Sequence, residues 1–404
     1  MNRVCDVVVV GAGPAGLAAA GRAAMLGAKV LLLEKMEKPA RKLRITGKGR
    51  CNITNMRPLD EQLSEIHPEP RFLRQAFGAF FNRDLIALLE ANGVPSKVER
   101  GNRVFPASDR AWDVAEALVA WAKGQGVEIL TRARVERLVI EDGVFRGLEF
   151  TQGGASHRVE ARSGIVATGG LSYPATGSTG DGHRFAEAAG HRIEPLRPAL
   201  VALRTDPVCA ATGLRLRNVR LTLWVDGRKG PSEFGEAEFT DEGLDGPIVL
   251  RLSRQVVDHL AAGRRVEAAL DLKPALELPT LEARLERAFP SGAPLRDILR
   301  SLLPAPLVDV FAERLGPAPR RQQLLALLKD LRFRVTGHGP WEEAIVTAGG
   351  VALKGIDPRT LGSRLAANLH FAGEVLDLDA NTGGYNLQIA FSTGWLAGEA
   401  AART

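Results

Sequence analysis

Residues 41–52, RKLRITGKGRCN, hold an unusual density of side chains able to do chemistry. Arg41, Lys42, Arg44, Lys48 and Arg50 place five positive charges within ten residues, Gly47 and Gly49 flank Lys48, and Cys51 follows. Cations beside glycines suit a phosphate or an anionic substrate, and a thiol among cations has the surroundings that lower a cysteine pKa. A nucleotide P-loop would need a glycine four residues ahead of the Gly-Lys pair and a Ser or Thr directly after it. Lys42 and Gly49 occupy those places, so that reading fails. A metal site needs several converging ligands, and Cys51 has no second cysteine or histidine at ligand spacing nearby. A charge run kept only for solvation is the competing explanation, because surface cations cost little.

A second motif says more. Residues 4–10, apolar except for Asp6, predict a strand buried on both faces of a parallel sheet. Gly11-Ala12-Gly13-Pro14-Ala15-Gly16 follows at once, then an alanine-rich helix over 17–26 and a second apolar strand over 29–33 that ends in Glu34. In such a βαβ unit Gly11 allows the tight turn, Gly13 lets a pyrophosphate approach the backbone, and Gly16 lets helix and strand pack closely. The helix start offers unpaired N–H groups and a partial positive charge to phosphate. Glu34 is placed to accept from ribose hydroxyls and would repel a 2′-phosphate, which leaves FAD or NAD.

FAD must be held along its whole length, so further motifs should lie far along the chain. SGIVATGG over 163–170 reads as a strand ending in a glycine turn and runs into LSYPATGSTGDG. Residues 368–372 form a short apolar strand before Gly373 and Glu374, and ANTGGYNLQIAFSTGWLAG opens a helix over 385–401. Ala390, Gly394 and Gly398, spaced by four, give that helix a narrow face for close packing. Its amide-bearing start can stabilise negative charge on a reduced flavin.

The elements that must position these residues follow a simple order. After the βαβ unit come a helix over 112–124, a strand over 127–130 and a hairpin of 135–140 and 145–150 around Asp142-Gly143. Alternation over 219–225 marks a β-rich insert, taken as 191–275, and short amphipathic helices mark a helical insert over 276–342. The nucleotide domain is expected over 1–190 and again over 343–404. With 404 residues of which 45% are hydrophobic, the chain should fold as one large or two to three smaller domains with real cores. No apolar run approaches the roughly 20 residues of a membrane helix. Three scattered cysteines, Cys5, Cys51 and Cys209, and no signal-peptide pattern point to a cytoplasmic protein. The net charge of +6 would suit an anionic partner such as a nucleotide or RNA. The seven histidines form no cluster, so no metal site is expected. Nothing sets an oligomeric state.

Three stretches, RKLRITGKGRCNITN, ATGGLSYPATGSTGDG and AGEVLDLDANTGGYNLQIAFSTG, resemble signatures of the BaiN-like, YhiN-type FAD flavoproteins, also called the aminoacetone-oxidase family. The resemblance implies a glutathione-reductase-type Rossmann FAD domain of α/β class, interrupted by a β-barrel-like and helical insert. It implies FAD contacts at Ala15, Glu34, Lys42, Gly49 and Asn52, an adenine contact at the Val135 backbone, and ribitol or flavin contacts at Glu374, Asn386 and Leu387. The same motifs add Lys35, Gly47, Arg50, Thr168, Gly169, Gly373 and Gly384. The 46–55 loop is then expected beside the isoalloxazine.

The leading expectation is a reductase. NADPH or NADH reduces bound FAD, N5 passes hydride to a polarised C=C or C=N bond, and a protein acid adds the proton. Cys51 or Tyr385, with Tyr173, is a candidate acid, and Arg50 or Lys48 a candidate for stabilising enolate-like charge. Alternatives are a ribosomal RNA dihydrouridine synthase, for which the family resemblance and the insert arginines Arg284, Arg287, Arg296, Arg300, Arg320 and Arg321 speak, an amine oxidase, and a flavin-bound sensor without turnover. The acceptor is accordingly a small molecule or ribosomal RNA.

Overall fold

A computed structural model of the chain describes residues 2–289, 294–317 and 319–404. It separates into two compact units, Met1–Arg197 with Ile345–Thr404, and Pro198–Ala344.

The first unit is built on a seven-stranded sheet. Asn2–Val10 lies between Val30–Leu33 and Ala155–Val166, and Glu128–Leu130 extends the sheet beyond Val30–Leu33, all in parallel. Val7, Val8 and Val9 are fully buried, as the unbroken apolar run requires of a strand covered on both faces. The long strand Ala155–Val166 changes partner along its length. Its first half pairs antiparallel with Val144–Gln152, and its last residues pair in parallel with the return strand Leu369–Phe371. Ala133–Glu141 completes the hairpin, with Asp142 and Gly143 both at positive φ in its turn, the conformation that twist-matched two-residue turns demand.

Two helices cross closely on one face of this sheet. On Pro14–Met25 and Tyr385–Arg403, a Cβ at Gly394 would lie 2.2 Å from the Ala15 carbonyl oxygen, and one at Gly398 2.2 Å from that of Ala19. Small residues spaced by four on both helices therefore form one seam. Trp395 of the last helix stacks on Phe80 at 4.2 Å and on Trp121 at 6.2 Å between ring centroids. Such aromatic pairs add about 1 kcal/mol beyond the area they bury.

The second unit is a closed barrel with helices attached. Its strands run in the order Leu203–Asp206, Gly243–Asp245, Arg228–Phe239, Arg215–Val225, Val266–Asp271 and Leu331–His338, the last pairing back to the first. The alternation at Val219, Leu221 and Leu223 puts these side chains inside, with Phe239, Leu270 and Phe333. A strand half over 191–275 followed by a helical half over 276–342 is not how this unit is assembled. Leu331–His338, from beyond the helices, closes the barrel, and strands and helices share one core. Residues up to Arg197 belong to the first unit, and the chain re-enters it at Ile345.

Candidate functional site

The glycines of the first turn divide the work as their surroundings dictate. Gly11 sits at φ +99°, where a Cβ would be 2.6 Å from the Ala167 carbonyl oxygen, and a Cβ on Gly16 would come within 1.8 Å of the Gly11 oxygen. Both are tight contacts of the protein with itself. Gly13 is different: nothing lies within 4 Å of its missing Cβ, and as N-cap it lends no side chain to the helix amides. A helix start without a side-chain cap, reached through an open glycine, is the cradle a pyrophosphate needs. These residues fit the dinucleotide portion of FAD.

Glu34 pins this turn to the second strand. Its carboxylate accepts from the Ala12 N–H at 2.9 Å and the Met36 N–H at 2.8 Å. Burial raises its pKa in spite of these amides. Lys35 turns to Asp181 at 2.6 Å and Thr179 at 2.5 Å, which ties the second strand to the GSTGDG segment. Burial alone would raise the Asp181 pKa, but the Lys35 hydrogen bond and charge hold it below the usual range. Val135 is buried at the head of the hairpin, two residues after Ala133 bonds its N–H to the Glu34 carbonyl at 2.9 Å. Thr168 explains a glycine beyond it, since a Cβ at Gly182 would lie 2.0 Å from its Oγ1, and Gly169 takes φ +73° beside Ser178.

The cation-rich segment is a short helix, Arg41–Ile45, followed by a left-handed turn through Gly47, Lys48 and Gly49 at φ 58°, 56° and 86°. Most of its charges are engaged. Arg41 pairs with Glu37 at 2.7 Å, Lys42 with Glu374 at 2.7 Å and Arg44 with Glu116 at 2.9 Å, while Lys48 is exposed. Arg50 bonds Glu99 at 2.5 Å and Asp109 at 2.6 Å and lies 4.2 Å over the Phe105 ring. It clamps the loop to the hairpin of Ser96–Glu99 and Arg103–Pro106, and its donors are occupied by carboxylates rather than held ready for a developing negative charge. Cys51 is a correction of the same kind. Its surroundings were expected to lower the thiol pKa, but the residue is fully buried, and desolvation pushes it up to about 12. The cations lie on the helix and the turn before it, and the backbone then turns this thiol inward, where burial outweighs them.

Asn52 joins the loop to the far end of the chain. Its side-chain amide lies 3.0 Å from the Gly384 nitrogen and 3.1 and 3.2 Å from the Thr54 and Val104 oxygens, the oxygen facing the N–H. Gly384, at φ +95°, caps the last helix, and a Cβ there would be 2.5 Å from the Thr54 oxygen. Tyr385 opens that helix and is 3% exposed. Asn386 is committed to the backbone, with its amide bonding the Ala380 N–H at 2.9 Å and C=O at 2.7 Å, and Leu387 is half-buried beside it. Gly373, at φ +77°, brings the return strand against the first helix, its missing Cβ 2.8 Å from that of Ala15. Glu374 therefore lies beside the dinucleotide turn. Burial would raise its pKa, but Lys42, the Ser172 hydroxyl and the Thr347 N–H together hold it below the usual range.

The sequence reading missed Glu99, Asp109, Asp181, Ser172 and Thr347. Asp181 had a signal in GSTGDG, where an acid follows glycines at a helix start. The others are partners only through long-range folding. Among the described residues no group of three or more His, Cys, Asp or Glu could hold a metal, and no helix is long and apolar enough to cross a membrane.

Comparison with known proteins agrees with this geometry. The model of the HI0933-like protein Rossmann domain matches residues 5–400. The 3-dehydro-bile acid delta(4,6)-reductase of Clostridium scindens is 31% identical, covering 100% of this chain and 99% of its own. The ribosomal RNA dihydrouridine synthase of Escherichia coli K12 is 29% identical over 96% of each. Among solved structures, the 3-ketosteroid-delta4-(5alpha)-dehydrogenase of Rhodococcus jostii RHA1 superposes with a TM-score of 0.53 at 18% identity, covering 100% of this chain and 97% of the other, a likeness of fold. With the dinucleotide cradle at one end of the chain and the glycine-capped helix at the other, the protein belongs to the HI0933-like family, the BaiN-like, YhiN-type FAD-dependent oxidoreductases.

Proposed function

We propose that this protein is an NAD(P)H-linked reductase that saturates a polarised double bond, C=C in the first place and C=N by the same chemistry. The observation that carries the reading is the end-to-end match to two enzymes whose names, a delta(4,6)-reductase and a dihydrouridine synthase, both denote saturation of a C=C bond. FAD, when bound, supplies the hydride exchange. The chain's part is to hold it. The 11–16 turn takes the pyrophosphate, Glu34 the ribose, and the Glu374 region with the Gly384 helix start the remainder. Of the candidate proton donors Cys51 is sealed in the core, and Arg50 is bound to two carboxylates, so the proton falls to a tyrosine, either Tyr173, which is half-buried, or Tyr385, which is 3% exposed.

Anaerobic mixing with NADPH and, separately, NADH tests the reading. Rapid bleaching of the flavin by one of them is the expected outcome. Persistent yellow colour with both would remove the nicotinamide donor and return weight to an oxidase reduced by its own substrate.

A ribosomal RNA acceptor is the second reading, favoured by the Escherichia coli relative and the net charge of +6. Binding to ribosomal RNA that weakens steeply with salt would support it, and no binding even at low salt would end it.

A further inference from the structure

The first unit contains a polar cluster that draws together four segments distant in sequence. Lys42 comes from the cation-rich helix, Ser172 from the turn after Ala155–Val166, Thr347 from the strand Val346–Val351, and Glu374 from the end of the return strand. Ser172 and Thr347 are fully buried. The Thr347 Oγ1 accepts from the Leu171 N–H at 2.8 Å and the Ser172 N–H at 3.1 Å, while its own N–H donates to Glu374 Oε1 at 2.9 Å. The Ser172 hydroxyl donates to the same Oε1 at 2.7 Å and accepts from the Lys42 ammonium at 2.6 Å. Gly170 makes room for this arrangement, since a Cβ there would stand 2.2 Å from Thr347 Oγ1 and 3.1 Å from Glu374 Oε1.

The two oxygens of Glu374 are used unequally. Oε1 accepts from Ser172, from the Thr347 amide and, at 3.0 Å, from Lys42. Oε2 accepts from Lys42 at 2.7 Å. A carboxylate oxygen has two lone pairs, so Oε1 is saturated while Oε2 keeps capacity for one more donor. Glu374 follows Gly373, which touches Ala15 at the dinucleotide turn. The spare acceptor is thus carried beside the cofactor cradle on a side chain that is held from three directions.

We propose that Thr347 and Ser172 are positioning residues. By fixing the 170–172 turn and saturating Oε1, they orient Glu374 so that Oε2 accepts from a hydroxyl of the FAD ribityl chain. The inference rests on FAD lying along Gly373 and Glu374. It takes the Glu374 contact from the family resemblance and adds Thr347 and Ser172 behind it, with no direct contact of their own.

The test compares the wild type with Thr347→Val, which keeps the side-chain shape without the acceptor, with Thr347→Ser, which keeps the acceptor, and with Ser172→Ala. For each, FAD affinity is measured by equilibrium dialysis, the midpoint potential of the bound flavin by redox titration, and the melting of the FAD-free protein by circular dichroism. Thr347→Val is expected to weaken FAD binding about tenfold or more and to move the potential, since two buried amides lose their acceptor and the 170–172 turn that brings the Ser172 hydroxyl to Glu374 is loosened, while the backbone N–H of residue 347 stays on Oε1. Thr347→Ser is expected to stay within about threefold of wild type, as the one hydroxyl is retained. Wild-type affinity and potential in Thr347→Val, or a Thr347→Ser variant as impaired as Thr347→Val, overturns the inference while leaving the cofactor assignment intact. A wild-type protein that takes up no FAD overturns the cofactor assignment and the inference with it. Should Thr347→Val fail to fold, Ser172→Ala decides: about fivefold weaker binding with unchanged FAD-free melting is expected from loss of a charge-assisted hydrogen bond, and unchanged binding overturns the inference.

Discussion

Gly13 and Gly16, three residues apart in one turn, should respond to the same substitution in opposite ways. A methyl at Gly16 would lie 1.8 Å from the Gly11 oxygen, a backbone atom that cannot yield without moving the end of the first strand. Gly16→Ala is therefore expected to destabilise the FAD-free protein by about 3 kcal/mol, at the upper end of core overpacking, read as a fall in its melting temperature. Gly13 has φ −80° and open space around it, so Gly13→Ala should leave FAD-free melting unchanged. It should instead weaken FAD binding about tenfold by standing where the pyrophosphate approaches, a loss of about 1.4 kcal/mol. Wild-type FAD affinity in Gly13→Ala would mean that the open side of Gly13 is not the cofactor's side, and a fall in its FAD-free melting equal to that of Gly16→Ala would mean that the space is not open. Cys51 supplies a second test at this scale. Burial pushes its thiol up to about 12, so it is protonated at pH 8. Iodoacetamide at pH 8 should label it only in denaturant, and Cys51→Ala should leave turnover unchanged. Labelling of the native protein at this position would restore it as a reactive group. The backbone roles of Gly11 and Gly16 were legible because their spacing encodes backbone geometry. The fate of Cys51 was not, because neighbouring cations in sequence do not reveal that the chain turns a side chain inward.

Elements repeat this contrast between local and distant signals. The first strand, the helix after it, the hairpin around Asp142-Gly143 and the last helix were all readable from period and punctuation, and the seam of Gly394 and Gly398 was visible in their spacing. The three-stranded sheet of Thr54–Asn55, Ser96–Glu99 and Arg103–Pro106 was not read, because strands this short carry too few residues to show a period. The return strand Leu369–Phe371 was found from its apolar run, but its sensitivity to acid emerges only in the fold. His370, at its centre, is 5% exposed, and burial pushes its pKa from 6.5 to about 4. The folded pKa lies below the unfolded one, so the unfolded chain takes up the proton first as pH falls. Stability from this strand is therefore full above about pH 6.5 and drains as pH falls towards 4. The loss at the acid end should reach about 3 kcal/mol, from about two and a half pKa units at 1.36 kcal/mol each. Urea unfolding of wild type and His370→Phe at pH 7 and pH 4.5 checks this. The wild type should lose more stability over that interval than the variant, and parallel losses would show that other groups carry the acid sensitivity.

At the scale of the whole molecule, the sequence marked where the chain leaves the nucleotide domain and where it returns, yet misjudged how the intervening residues are assembled. Alternation identified the barrel strands before residue 275, and helical periodicity the helices after it. Neither signal says that a strand beyond the helices, Leu331–His338, must come back between Val266–Asp271 and Leu203–Asp206. That pairing is a matter of closure: without it the barrel would present two open edges, each a row of unsatisfied backbone groups. The inserted unit accordingly needs its last strand as much as its first. It also has a core of its own, in which Leu221, Leu223, Phe239, Leu270, Phe311 and Phe333 are each no more than 1% exposed. Residues 198–344 produced alone are therefore expected to fold, to melt cooperatively and to bind no FAD. The same fragment ended at residue 330 is expected to lose cooperative melting, because it forfeits the closing strand together with the buried side chains of Leu331, Phe333 and Val335, worth about 2 kcal/mol each. Calorimetry of the two fragments distinguishes the outcomes. A cooperative transition in the shorter one would mean that the helices and the first five strands are sufficient, and that closure by Leu331–His338 is not what holds the unit together.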